Sequence, residues 1–314
     1  MTAMDLRVRM VGVLARPASS ISKMSRERVL KMQRLGLMHN RVTAIVFGAT
    51  APEVALNDKT IDGPGGALPV RVYRPQTEQS ALIVNFHGGG WTLGNLDQSD
   101  WLCSHVSAAT GAVVVSVDYR LAPLNPFPAA VEDAYAALLW AADELAADGR
   151  RIGVMGDSAG GNLAAVVALM ARDRSGPQIS HQALIYPNTD MTLSGASMRT
   201  NANKPFLLAA DVVAYRGHYL GDPPSAIRDP YSSPLLAEDH SGLPPALIQV
   251  AEHDPIRDDG TRYAEALRAA GVPVRLTEYV GMPHGFLSVP GVSRSAPQAL
   301  AEICAEQSSA LAPN

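Results

Sequence analysis

Cysteine is scarce in this chain of 314 residues: only Cys103 and Cys304 occur, far apart and each inside a segment with helical spacing. Neither has metal-ligand spacing, and two such residues make no secreted disulfide framework. A reducing, cytoplasmic setting is therefore expected, without a metal centre. No run of about 20 apolar residues occurs, which excludes a membrane-spanning helix. The apolar piece Met10–Ala15 is too short for a typical signal core and follows Asp5, so no export signal is read. Low-complexity linkers are absent too, as are blocks of like charge. With a formal net charge of −4, nothing marks a nucleic-acid surface. Arg26, Arg28 and Lys31 alternate with apolar positions and Glu27, as on a solvated helix face.

What is present is a large apolar fraction, 47%, enough for a sizeable core. The spacing predicts an amphipathic helix over 25–39, on Val29, Leu30, Met32, Leu35 and Met38. Val54–Ile61, a glycine-rich turn and Val70–Arg74 read as an antiparallel hairpin at a sheet edge. Short apolar runs then alternate with helical segments. Strands are expected at 81–86, 111–118, 151–156, 182–186, 245–251 and 274–280. Helices are expected at 96–109, 128–147, 159 onward, 259–270 and 296–311. The pattern implies an α/β fold, an eight-stranded mostly parallel sheet flanked by helices. Residues 190–239 break the alternation, with one helix near 209–220 and proline-rich loops. They read as a helical cap, made together with residues 1–45 over a catalytic core of 46–189 and 240–314, within one domain.

At Gly156-Asp-Ser-Ala-Gly160 a strand meets a helix. The Gly-x-Ser-x-Gly form is that of a nucleophile elbow, which lifts a strained serine clear of the sheet. The alternative is that Ser158 caps the following helix. Nucleophilic chemistry would also need a base, an acid and an oxyanion hole. His284 follows a predicted strand within a glycine- and proline-bounded loop and suits the base, with His253 as the rival. His87, ahead of three glycines, suggests another task. Asp254 comes just past a strand end, where a carboxylate could orient the imidazole; Asp258 or Asp259 suits a helix cap better. The order Ser158, Asp254, His284 favours His284 and is that of α/β-hydrolases. Backbone N–H groups of Gly88 and Gly89, with that of Ala159, are expected to form the oxyanion hole.

Together these segments resemble the bacterial hormone-sensitive-lipase-like carboxylesterases, family IV, of the α/β-hydrolase fold. The resemblance rests on His87–Gly90, Asp118–Pro123, Phe127–Asp133, Gly156–Ala164, Asp254-Pro255 and His284–Phe286, over about residues 70–287. It implies hydrolysis of short- to medium-chain acyl esters by Ser158, His284 and Asp254 through an acyl-enzyme. It also implies a small-molecule ester as partner, no cofactor, and a homodimer through the last strand and helices. Trp91, Tyr186, Phe206, Leu207 and Leu208 are expected to line the substrate pocket. Leu124 and Asn125 depart from the family's usual residues, outside the catalytic roles.

Overall fold

The computed structural model describes residues 4–35, 41–77, 81–146, 149–221, 224 and 226–312. Its apolar and β-branched runs form eight strands: β1 (Val54–Gly63), β2 (Gly66–Pro75), β3 (Ala81–Phe86), β4 (Val113–Val117), β5 (Arg151–Asp157), β6 (Ile179–Ile185), β7 (Ala246–His253) and β8 (Val274–Pro283). They make one sheet in the order β1-β2-β4-β3-β5-β6-β7-β8. The hairpin β1–β2 is antiparallel and joins β4 antiparallel; β4, β3, β5, β6, β7 and β8 are mutually parallel. Strands β3 to β7 are almost wholly buried, as expected for a parallel sheet covered on both faces.

Among the described residues, ten α-helices flank or overlie this sheet: α1 (Leu6–Ser19), α2 (Arg26–Gln33), α3 (Arg41–Phe47), α4 (Asp100–Thr110), α5 (Ala129–Leu145), α6 (Ala159–Asp173), α7 (Ser197–Thr200), α8 (Ala209–Leu220), α9 (Arg257–Ala269) and α10 (Ala296–Leu311). Alternation along the strands sorts the core into two layers. Val113, Val115 and Val117 pack with α5, α6 and α9 on one face. Val114 and Ile83 pack with α4 and α10 on the other, where Cys103 and Cys304 are buried.

Because β3, β5, β7 and β8 are parallel, the loops that follow them open at one edge of the sheet. Above that edge lie α1–α3 and the segment 190–239, which shows no strand among its described residues. The two pieces are tied together: the Ser20 hydroxyl donates to Asp211 Oδ1 at 2.8 Å and the Ser22 hydroxyl at 2.7 Å. Asn201 joins the second piece to the end of β7 and the loop after it, donating to the carbonyls of Glu252 and Asp254 at 3.0 Å each.

Several boundaries differ from expectation. The helix at 25–39 ends at Gln33, with Leu35 exposed; Met38 and His39 lie outside the described residues. Helix α3 was not expected, since Val42, Thr43, Ile45 and Val46 are β-branched and lower helix propensity. Strand β8 runs on to Pro283 after a register shift against β7 between Ala251 and His253. Neither Asp258 nor Asp259 caps α9. Asp258 accepts from the Ser197 N–H, and buried Asp259 accepts from Asn188, Thr189 and Asp190.

Candidate active site

Ser158 sits between β5 and α6 with φ 55° and ψ −116°. A non-glycine residue with positive φ is costly and needs an over-determined setting. Here the Ser158 N–H donates to the Ile185 carbonyl at 2.8 Å, and its carbonyl accepts from the Asn162 N–H at 3.1 Å. The neighbouring glycine is demanded by contact: a Cβ on Gly160 would lie inside the van der Waals shell of the Phe86 carbonyl. The side chain makes no helix-cap hydrogen bond, so the capping alternative fails. Its Oγ is instead 2.9 Å from His284 Nε2.

His284 follows β8, and its Nδ1 is 2.7 Å from Asp254 Oδ2. Asp254 is fully buried, and its second oxygen accepts the Ile256 N–H at 2.9 Å. Tyr186 packs obliquely against the imidazole, ring centres 4.7 Å apart. His253 takes no part in this chain of contacts: it ends β7, where its backbone pairs with Pro283.

The glycine loop after β3 corrects one expectation. The Gly88 N–H donates to Asp157 Oδ1 at 2.8 Å, so it is committed away from the reaction space. Gly89 and Gly90 line the cavity beside Ser158 and Ala159. Gly89 has φ 116°, and a Cβ there would collide with the Leu93 carbonyl. Burial pushes the Asp157 carboxyl up to about 6, against the opposing pull of the Gly88 N–H and His284. His87 braces the loop. Its ring stacks on Tyr119 at 4.2 Å, and Tyr119 donates to the His87 carbonyl at 2.7 Å. Burial pushes the His87 imidazole down to about 4, which keeps it neutral near pH 7.

Motif residues away from the centre have positioning tasks that the sequence alone did not reveal. The Arg120 guanidinium and N–H converge on buried Asp133 at 2.8–2.9 Å, fixing the loop after β4 on α5. Asn162 donates to the Asn188 and Ser232 carbonyls at 2.8 and 2.9 Å, tying α6 to the segment above it.

The sequence profile of a family described as the alpha/beta hydrolase fold matches residues 83–288, from β3 to the loop beyond β8. Over 260 residues the chain is 49% identical to the carboxylic ester hydrolase LipN of Mycobacterium tuberculosis, spanning 80% of this chain and 69% of the relative. A thermostable esterase from Pseudomonas putida superimposes with TM-score 0.86 at 31% identity, covering 100% of this chain and 99% of that one. The hyperthermophilic esterase of the archaeon Pyrobaculum calidifontis gives 0.83 at 38%, covering 98% and 99%. The chain belongs to the family IV carboxylesterases of bacteria.

In this family IV esterase a cavity of about 380 Å³ opens over Ser158. Trp91, Phe206 and Leu207 line it, as expected, with Val212 and Tyr215 of α8 and Ile256 from the Asp254 loop. Two expected lining residues do not. Tyr186, at φ 36°, turns its ring beneath His284 and onto Phe286, ring centres 5.7 Å apart. Leu208, extended (φ −99°, ψ 150°) at the start of α8, is buried away from the cavity lining. Val11 of α1 and Val46 and Phe47 of α3 line the cavity without having been singled out. Arg216 also reaches it, donating to the Met191 carbonyl at 3.1 Å.

Proposed function

We propose that this carboxylesterase cleaves short- to medium-chain acyl esters through an acyl-enzyme on Ser158. His284 takes the hydroxyl proton as Oγ attacks the ester carbonyl, and Asp254 holds the Nδ1–H tautomer and stabilises the imidazolium. The N–H groups of Gly89, Gly90 and Ala159 receive the oxyanion; such donors are worth about 10²–10³-fold in rate each. His284 protonates the departing alcohol, then deprotonates the water that frees the acid. The observation that carries this reading is the pair of contacts joining Ser158 Oγ, His284 and Asp254 at 2.9 and 2.7 Å.

The cavity, near the lower end of the roughly 300–1,000 Å³ common for ligand sites, supports the limit on chain length. The segments at 1–45 and 190–239 act in this reading as the cap. A homodimer through β8 and α10 belongs to the same reading and is tested by the mass in light scattering. Ser158→Ala is expected to lower turnover of a short aryl ester by about 10⁵–10⁶-fold without unfolding the protein. A series of p-nitrophenyl esters is expected to peak at short or medium acyl length. Substantial residual activity in the purified variant, or a rate rising toward long chains, refutes the proposal.

A further inference from the structure

Helix α1 carries more apolar surface outward than a solvent-facing helix warrants. Leu6, Met10, Val13 and Leu14 are 67%, 57%, 50% and 76% exposed. At 3.6 residues per turn they share an arc of about 100°. The opposite arc is the one that packs: Val8 is fully buried, and a Cβ on Gly12 would strike Pro205 and the Phe206 ring. Arg7 and Arg9, both exposed, fall at the two borders of the outward stripe. The helix thus has one apolar face for the protein and a second, edged by guanidinium groups, for something else.

The charge around it has a sign. Residues 1–47 contain nine Lys or Arg against Asp5 and Glu27, a formal +7 in a chain of −4, which leaves −11 on residues 48–314. On α2 and at its C-cap, Arg26, Arg28, Lys31 and Arg34 are all exposed. The cavity wall continues the apolar surface, since Val11, beside the stripe on α1, lines the cavity with Val46 and Phe47 of α3. Ile45, next to them, is 67% exposed.

We infer that α1 and α2 dock on an anionic lipid surface, with the stripe in the interface and the basic side chains at headgroup level. An outward apolar arc flanked by arginines suits an interfacial helix, whose long cationic side chains reach the headgroups. The basic excess complements anionic lipid, and the acidic remainder turns the rest of the molecule away from it. No helix among the described residues is long and apolar enough to cross a membrane, so the contact is peripheral. It places the cavity mouth at the interface, where an apolar ester can enter without crossing water. A nucleic acid would meet the charge but leave the stripe in water; a second copy would bring +7 against +7.

The test is flotation of the full chain with phosphatidylcholine vesicles, with and without phosphatidylglycerol. Binding to the anionic vesicles is expected, weakened by salt and at least about 10-fold stronger than to phosphatidylcholine alone. Leu6→Gln with Leu14→Gln is expected to lower that binding about 10-fold or more, and Arg26→Glu with Arg28→Glu likewise. Both variants should retain turnover of a water-soluble ester, which also shows that they fold. Failure of the acyl-enzyme reading would appear in that soluble assay, independently of vesicle binding. Equal binding to both vesicle types, no binding, or equal retention on duplex DNA overturns the inference. So does a dimer that the Leu6 and Leu14 changes dissolve.

Discussion

Asp157→Asn separates the charge of this side chain from its shape. Asp157 is 8% exposed, and burial holds its carboxyl at about 6 against an ordinary 3.8. At about 1.36 kcal/mol per pH unit, that difference corresponds to about 3 kcal/mol. The folded value lies above the unfolded one, so the contribution is fully present below about pH 4 and is lost as pH rises through about 6. An Asn oxygen still accepts the Gly88 N–H, and the amide carries no charge at any pH. The stability advantage of the variant over the natural chain is therefore expected to grow by about 3 kcal/mol between about pH 4 and 7.5, then level off. Urea unfolding of both proteins at a series of pH values, followed by far-UV circular dichroism, measures it. A stability difference that does not change with pH refutes the reasoning.

Three further outcomes follow from the geometry. Asp254→Asn is expected to lower kcat by about 10⁴-fold with the fold intact, because the amide favours the wrong imidazole tautomer; stopped ester assays on the purified variant check it. His253→Ala should keep most of the esterase activity while His284→Ala loses it, and the reverse result would hand the base to His253. Tyr119→Phe removes a buried donor from the His87 carbonyl and is expected to cost about 1–3 kcal/mol in urea unfolding, with a fall in kcat as the glycine loop loosens.

The succession of strands along the chain, the hairpin edge and the bounds of α8 and α10 were legible because apolar periodicity and glycine or proline punctuation act locally. The serine, histidine and aspartate were legible for a related reason: each stands just past a strand, and parallel strands deliver such positions to one edge. What escaped depends on groups distant in sequence. That the Gly88 N–H is unavailable to an oxyanion is decided by Asp157, 69 residues away, which accepts it. Whether Tyr186 lines the cavity is decided by a backbone at φ 36°, which no local pattern announces. Helix α3 escaped because its β-branched residues argue locally for a strand, while a distant contact holds it, the Gly291 N–H donating to the Val46 carbonyl at 3.1 Å.

The central claim, that Ser158 is the nucleophile beneath this cavity, is tested most directly by treating the protein with an organophosphorus ester and locating the adduct by peptide mass spectrometry. One phosphyl group per chain on Ser158, with none on Ser158→Ala and loss of esterase activity in step with labelling, is the predicted result. Full labelling at another residue, or esterase activity that survives complete labelling of Ser158, would contradict it.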